Sequence, residues 1–136
     1  MKKIILFDFN KTLYDPHKKE LMNGCLDILK LLSSKHILIL ISNQKCGRKD
    51  LIDKLIGKYF RETVLCNEKN EHEFKAIISK YDSHNSKCFV VGDTLDEEIT
   101  IGKKLGCKTI HLNSNDKPTT ADYSIKNLEE LRSIII

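Results

Sequence analysis

The sequence contains no long hydrophobic run, no internal repeat and no low-complexity tract. Its longest apolar run, from Ile37 to Ile41, has the length of a strand, whereas a transmembrane helix needs roughly 18 apolar residues. The basic start, Met1 to Lys3, is followed by an apolar stretch that breaks at Asp8 and carries no small-residue cleavage site. We therefore expect a protein that neither spans a membrane nor is exported, and that resides in the cytoplasm.

The sequence also lacks paired cysteines. Disulfide frameworks and zinc sites need cysteines at short, regular spacings, so neither is expected here. The five cysteines are Cys25, Cys46, Cys66, Cys88 and Cys107. Their odd number and wide separation are typical of reduced thiols, most of which pack as small apolar side chains.

Length and composition are those of an ordinary globular protein. The 136 residues are 40% hydrophobic and 31% charged, which favours a single domain spanning residues 1–136. The net charge of +4 comes from lysines scattered among acids, a pattern typical of a solvated surface. We therefore expect no nucleic-acid partner, although the charge alone is compatible with one.

Short apolar runs alternate with longer amphipathic stretches along the chain. This alternation predicts an α/β fold, a three-layer, doubly wound (Rossmann-like) parallel sheet of about five strands. The predicted strands run from Lys3 to Phe9, His36 to Ser42, Thr63 to Cys66, Cys88 to Gly92 and Lys108 to Leu112, with a candidate edge strand from Asp122 to Ile125. The predicted helices run from Glu20 to Ser33, Arg48 to Lys58, Glu71 to Tyr81, Asp96 to Leu105 and Leu128 to Ile134.

Polar residues follow the predicted strands at the points where ligands bind in doubly wound sheets. Strand one runs into Asp8-Phe9-Asn10-Lys11-Thr12, and strand two into Ser42-Asn43. Strand three is followed by Glu68-Lys69, and strand four ends in Gly92-Asp93-Thr94-Leu95-Asp96-Glu97. Because the carboxyl ends of parallel strands share one edge, a carboxylate, a hydroxyl, an ammonium and an acidic cluster are expected to converge there.

These four segments, in this order, resemble the four motifs of the haloacid dehalogenase (HAD) superfamily of phosphohydrolases, and the resemblance spans nearly the whole chain. In that family the pattern is Asp-x-Asp-x-Thr, then Ser or Thr, then Lys, then Gly-Asp with a further acid shortly after. The tail from Ala121 to Leu131 also resembles the end of many HAD domains. The resemblance implies a HAD-like fold and an Mg2+-dependent phosphohydrolase.

The resemblance implies specific roles for the acidic residues. Asp8 is the implied nucleophile, whose carboxylate attacks phosphorus and forms an aspartyl phosphate. The other oxygen of Asp8, the backbone carbonyl of Asn10 and the carboxylate of Asp93 are the implied Mg2+ ligands. Glu97, or Asp96 beside it, is expected to orient metal-bound water.

Phosphate binding is assigned in the same way. Ser42 and the Asn43 amide are expected to bind the transferring phosphoryl oxygens, and a lysine to neutralise their charge. Lys69 and Lys75 are both candidates for that lysine. We favour Lys69 because it precedes Asn70, the predicted cap of the third helix, where the positive end of the helix dipole faces an anion.

Asn10 departs from the family pattern, which has a second aspartate at this position. An amide donates hydrogen bonds but does not exchange a proton near neutral pH, so general acid and base catalysis from this position should be absent. One positioned acid or base typically contributes roughly a hundred- to ten-thousand-fold in rate. We therefore expect a weakened phosphohydrolase that prefers good leaving groups, or a long-lived aspartyl phosphate. The alternative is a noncatalytic phosphate- and Mg2+-binding module.

The segments Asp15 to Lys35 and Gln44 to Glu68 are too short to contain a cap domain, so the site should be open. Open members of the family tend to act on macromolecular phosphates, or on small ones when a neighbouring subunit covers the site, so a homo-oligomer is compatible with this reading. Thr12 is expected to be a loop hydroxyl that bonds backbone. The flap residues that could touch substrate are Tyr14, His17, Lys18 and Lys19, and the histidines expected to be structural or at the surface are His72, His84 and His111.

Two other folds share parts of this pattern. A receiver domain needs an acidic pair after strand one and its phosphoacceptor after strand three, but strand three here runs into Cys66-Asn67. A dinucleotide-binding domain needs a glycine-rich turn after strand one, and residues 8–12 contain no glycine. Both readings are therefore disfavoured.

Overall fold

The computed structural model describes residues 2–81 and 87–135 of the chain. Six strands form a parallel sheet in the order β5-β4-β1-β6-β7-β8, and β2 and β3 form a separate antiparallel hairpin. The strands are β1 (Ile4–Phe7), β2 (Tyr14–Asp15), β3 (Glu20–Leu21), β4 (Ile37–Asn43), β5 (Glu62–Cys66), β6 (Cys88–Gly92), β7 (Lys108–Leu112) and β8 (Tyr123–Ile125). The predicted doubly wound parallel sheet is thus confirmed, with the candidate edge strand as its sixth member.

Strand β1 lies in the middle of the sheet, and its neighbours determine which residues meet at the carboxyl edge. Phe7 is paired with Leu40 of β4 on one side and with Val91 of β6 on the other. The residues that follow these strands therefore lie side by side, although they are far apart in sequence. This register brings Asp8 between the end of β4 and Asp93.

Helices cover both faces of the sheet because its strands are apolar on both faces. Alternate residues of a strand point to opposite faces, so Phe7 packs in the core layer containing Ile28 of the first helix, and Leu6 in the layer containing Phe74 of the third. The helices are α1 (Cys25–Lys35), α2 (Arg48–Leu55), α3 (Glu71–Tyr81), α4 (Thr100–Lys104) and α5 (Leu131–Ile134). The arrangement is the predicted three-layer sandwich.

The prediction that a helix begins at Glu20 is wrong, because α1 begins at Cys25 and Glu20 pairs with Asp15 in the hairpin. The Asp15 carboxylate accepts hydrogen bonds from the backbone N–H groups of His17 (2.9 Å) and Lys18 (3.2 Å). This local turn competes with helix formation, as aspartate side chains commonly do.

Three other helical segments are also less regular than predicted. Helix α2 ends at Leu55, and a short 3-10 turn, Gly57–Tyr59, follows it. A second 3-10 turn, Leu128–Glu130, precedes α5. The predicted helix from Asp96 to Leu105 is divided into a π-helical turn, Leu95–Ile99, and α4. The π turn contains the three consecutive acids Asp96, Glu97 and Glu98, and it changes which of them faces the sheet.

Only short elements occupy the positions at which a cap could be inserted. The hairpin alone lies between β1 and α1, and α2 with its 3-10 turn lies between β4 and β5. No separate cap is present in the described parts of the chain. Within residues 2–81 and 87–135, no helix combines the length and apolar character needed to cross a membrane.

Candidate active site

The turn after β1 places Asp8 at the centre of the sheet edge. The Asp8 backbone N–H donates to the carbonyl of Val91 (3.1 Å), and the carbonyl of Phe9 accepts hydrogen bonds from Leu13 (2.9 Å) and Tyr14 (3.0 Å). This tight turn directs Thr12 back toward Asp8, so that Thr12 Oγ1 donates to Asp8 Oδ2 (3.2 Å). The Thr12 hydroxyl therefore bonds a carboxylate, and the prediction that it bonds backbone is wrong.

Lys69 is the lysine that the fold brings to Asp8. Its ammonium contacts Asp8 Oδ1 directly and lies 2.6 Å from Glu98 Oε1, with the whole residue only 7% exposed. Lys75, the other candidate, is exposed on α3. The predicted cap is present, since Asn70 Oδ1 accepts the backbone N–H of Glu73 (3.0 Å). That cap starts α3 immediately after Lys69 and so holds the lysine at the edge of the sheet.

Glu98, which the sequence-based prediction missed, is the buried member of the acidic cluster. It is 1% exposed, whereas Asp96 is exposed and Glu97 half-buried. Glu98 Oε2 also accepts the backbone N–H of Thr94 (3.2 Å). The sequence does not show which of three consecutive acids faces the site, and it predicts a regular helix where a π turn occurs. A π turn adds one residue per turn and so changes which side chain faces inward.

Gly92 makes room for Glu98. A Cβ atom at position 92 would lie 2.6 Å from Glu98 Oε2 and 2.9 Å from its Cγ, closer than atoms in contact tolerate. The glycine of the Gly-Asp pair is therefore needed for packing against the glutamate, as well as for placing Asp93.

Three carboxylates, one of them that of Asp8, lie close together in an arrangement suited to a divalent cation. Asp8, Asp93 and Glu98 each offer one oxygen, and these oxygens all lie within 4.8 Å of one another. Thr12 Oγ1 and Thr94 Oγ1 lie 3.5 Å and 3.2 Å from Asp93 Oδ1. Among residues 2–81 and 87–135, Lys69 is the only lysine or arginine that forms an ion pair with this cluster, so three carboxyl groups share one ammonium. A hard cation such as Mg2+ fits this all-oxygen donor set.

Burial strongly perturbs the ionisation of this cluster. Desolvation raises the pKa of Asp8 to about 6, against the opposing attraction of Lys69. Desolvation, together with the nearby charge of Asp8, raises the pKa of Glu98 to about 8. Burial alone would lower the pKa of Lys69, but Asp8 and Glu98 raise it, so that the ammonium stays charged. Binding of a metal ion to these carboxylates would therefore compete with their protonation.

These upward pKa shifts predict that, in the absence of metal, the stability of the folded protein falls as the pH rises. The ordinary pKa values of these carboxyls are 3.8 for Asp8 and 4.5 for Glu98, below their folded values, so the folded state holds the protons more tightly. The site's contribution to the free energy of unfolding is complete below about pH 4 and falls by several kcal/mol as the pH rises toward about 8. Urea denaturation in EDTA across this range measures the effect.

Mg2+ should reverse this trend, because it binds the ionised carboxylates and so stabilises the folded state more as the pH rises. Glu98→Gln should flatten the pH profile in EDTA, since it removes the group with the largest upward shift. A metal-free stability that is constant or rises between about pH 5 and pH 8 would contradict this account.

Ser42 is buried at the end of β4, on the side of Asp8 away from Asp93. Its hydroxyl oxygen accepts a 2.7 Å hydrogen bond from Nη1 of Arg48, the first residue of α2. The Arg48 guanidinium also lies 5.4 Å from the centre of the Phe9 ring. Arg48 was missed because no motif spacing marks it. The only signal was a basic residue at the predicted start of the helix after strand two.

A cleft of about 230 Å3 joins these residues. Asp96 is exposed and is not one of the described residues that line it. All the other predicted site residues line it, together with Lys11, Arg48 and Thr94. They are Asp8, Asn10, Ser42, Asn43, Lys69, Asp93 and Glu97. The fold therefore brings together residues from the ends of four strands.

His111 is buried beside the cleft and is fully bonded. Its Nε2 lies 3.1 Å from the backbone carbonyl of Asp93, and its Nδ1 lies 2.8 Å from Thr119 Oγ1. Because a carbonyl only accepts hydrogen bonds, Nε2 donates to the Asp93 carbonyl. His72 is exposed, and His84 lies outside the described residues.

Comparison with known proteins concerns the fold of the chain and the sequence of its second half. A family model described as HAD-hydrolase-like matches residues 66–131, slightly less than half of the chain. A putative HAD hydrolase from Bacillus subtilis, bound to magnesium, has a TM-score of 0.86 at 14% identity, with 98% of each chain covered. The chain is HAD-like in its fold and in the sequence of its second half. The family resemblance stated from the four motifs is thereby confirmed.

Other HAD structures are similar to this HAD-like chain. A HAD phosphatase from Thermococcus onnurineus has a TM-score of 0.83 at 18% identity, covering 98% of this chain and 97% of its own. The D,D-heptose 1,7-bisphosphate phosphatase from B. bronchiseptica, complexed with magnesium and phosphate, has a TM-score of 0.76 at 15% identity, covering 98% and 99%. No curated protein sequence gives a significant match. These likenesses establish the fold.

Proposed function

We propose that this HAD-like chain is an Mg2+-dependent phosphohydrolase that uses Asp8 as its nucleophile. The observation that carries the proposal is the position of Asp8, buried between the Lys69 ammonium, the Thr12 hydroxyl and the carboxylates of Asp93 and Glu98. The same cleft contains Ser42, a hydroxyl suited to a phosphoryl oxygen. The magnesium and phosphate named for similar structures are consistent with such a site.

In the proposed mechanism, Asp8, Asp93 and the backbone carbonyl of Asn10 would hold Mg2+, which when bound would screen the charge of Asp8 from that of the phosphate dianion. Glu98 adds a further carboxylate to the cluster. An Asp8 oxygen attacks phosphorus, forming an aspartyl phosphate as the bond from phosphorus to the leaving oxygen breaks. Water then attacks the same phosphorus, the bond from phosphorus to the Asp8 oxygen breaks to regenerate the carboxylate, and inorganic phosphate leaves with the protons of the water.

Other cleft residues bind and orient in this mechanism. Ser42, the Asn43 amide and Lys69 bind the phosphoryl oxygens, which carry the charge that develops during transfer. Lys69 also holds Asp8 in place through their direct contact. Glu97, which lines the cleft, orients the attacking water, a role for which exposed Asp96 is badly placed.

Asn10 limits the reaction at the leaving group. Its amide can hydrogen-bond the departing oxygen but cannot protonate it, so the leaving oxygen departs as an anion. Acyl phosphates and aryl phosphates tolerate this, because their leaving groups are stable anions. We therefore propose these classes as the best substrates. The cleft is open, so they include macromolecular phosphates, or small ones covered by a second subunit.

Asn10 also supports a second candidate function, a noncatalytic module that binds Mg2+ and phosphate for interaction. The two functions differ in turnover. We expect the wild-type protein to release phosphate from acetyl phosphate and p-nitrophenyl phosphate in Mg2+ and to lose this activity in EDTA. Phosphate release is measured by colorimetric assay. Binding of Mg2+ without release from either compound would favour the noncatalytic module.

A further inference from the structure

Two grooves run from the cleft on either side of the β2–β3 hairpin. The first, the α2 groove, has a volume of about 220 Å3 and lies between the hairpin and the start of α2. It shares Asn10 and Arg48 with the cleft. The second, the β7 groove, has a volume of about 560 Å3 and shares Lys11 and Asp93 with the cleft. Either groove could receive the part of a substrate beyond its phosphate.

The charges of the two grooves differ. Among the described residues that line the α2 groove, the charged ones are Lys19, Lys45 and Arg48, and none is an acid. In the β7 groove, Lys11, Lys117 and Lys126 are accompanied by Asp15 and Asp93. Lys126 is also bonded to the carboxylate of Asp116 at 2.8 Å. The α2 groove is therefore the more favourable environment for an anion.

Arg48 is held in place at the junction of the cleft and the α2 groove. Its Nη1 donates to Ser42 Oγ (2.7 Å) and to the backbone carbonyl of Asn43 (3.4 Å). The guanidinium lies over Phe9, which stacks on Tyr14 with ring centres 5.1 Å apart. Both hydrogen bonds use one nitrogen, and a guanidinium has N–H donors on two more. A fixed guanidinium loses little conformational entropy on binding an anion.

We infer that the α2 groove binds a second anionic group, a carboxylate or a further phosphate, on the leaving group of the substrate. This inference rests on the proposed function, in which the leaving oxygen faces Asn10. Because Asn10 lines both the cleft and the α2 groove, a leaving group that passes this residue enters the groove. Lys19, Lys45 and Arg48 then attract its charge.

Binding of inert phosphonates tests the inference without turnover. The test compounds are benzylphosphonates whose meta or para substituent is a carboxylate, a second phosphonate or a neutral methyl ester. Calorimetry in Mg2+ measures the Kd of each compound. We expect the two anionic compounds of at least one isomer to bind about tenfold tighter than the ester. The comparison of carboxylate with phosphonate shows which anion the groove prefers.

Two double variants show which groove produces the preference for anionic compounds. Lys19→Ala/Lys45→Ala should weaken the preference for the anionic compounds over the ester, and Arg48 should account for the part that remains. Lys117→Ala/Lys126→Ala removes the same number of charges from the β7 groove and should leave the preference unchanged. Equal affinity of the anionic and neutral compounds in wild-type protein would overturn the inference. So would loss of the preference in the Lys117→Ala/Lys126→Ala variant with its retention in the Lys19→Ala/Lys45→Ala variant.

Failure of the inference can be distinguished from failure of the proposed function. Turnover of p-nitrophenyl phosphate without any preference for anionic phosphonates overturns the inference alone. A preference for anionic phosphonates without turnover supports the inference and counts against the catalytic proposal. If no phosphonate binds in Mg2+, the inference and the proposed phosphate site are both wrong.

Discussion

Asp8→Asn is expected to reduce phosphate release from acetyl phosphate by at least about a thousandfold, since removal of a catalytic nucleophile typically has effects of this size or larger. The amide has nearly the same shape as the carboxylate but is not a nucleophile toward phosphorus. The variant should also form no covalent phosphoenzyme, which rapid quenching after mixing with labelled acetyl phosphate would detect. Wild-type protein should show the label on Asp8.

The control for this experiment is Asp53→Asn, which alters an exposed aspartate of α2 that is paired with Lys49. It should leave turnover unchanged. Asp8→Asn should remain folded, because Lys69 keeps its partner Glu98 (2.6 Å). Circular dichroism confirms this before the rates are compared. A folded Asp8→Asn protein with the wild-type rate would show that Asp8 is not the nucleophile.

Asn10→Asp is expected to raise turnover of alkyl phosphates at least about tenfold, because a carboxylic acid at this position can protonate the leaving alkoxide. Alkoxides are poor leaving groups, so their departure gains most from a proton. Turnover of p-nitrophenyl phosphate should change much less, because p-nitrophenolate leaves readily as an anion. The ratio of kcat/KM for the two substrates isolates the effect of proton donation from any change in folding or metal binding.

Asn43→Asp provides a matched control, since it adds a carboxylate to the same cleft away from the leaving oxygen. It should lower turnover of both substrates, because a negative charge beside the phosphoryl oxygens opposes phosphate binding. The account of Asn10 is wrong if Asn10→Asp leaves alkyl phosphate turnover unchanged while the wild-type rate is measurable.

Most of the fold could be predicted because its signals are local. The apolar runs of β6 and β7 were predicted with their observed bounds, as was α3 with its Asn70 cap. The hairpin was missed because the Asp15 side chain organises a turn within a stretch that has helical character. The choice of Lys69 over Lys75 followed from that predicted cap, and the structure places Lys69 against Asp8.

The sequence by itself determined the strands of the main sheet, their parallel arrangement and the polar residues at their ends, because these depend on periodicity and on the edge that parallel strands share. The tertiary structure alone decided that Glu98 is buried with Asp8 and that Arg48 bonds Ser42. The first depends on a π turn packed against Gly92, and the second on a guanidinium placed over the Phe9 ring. Such contacts join residues distant in sequence, and they depend on packing that residue spacing does not encode.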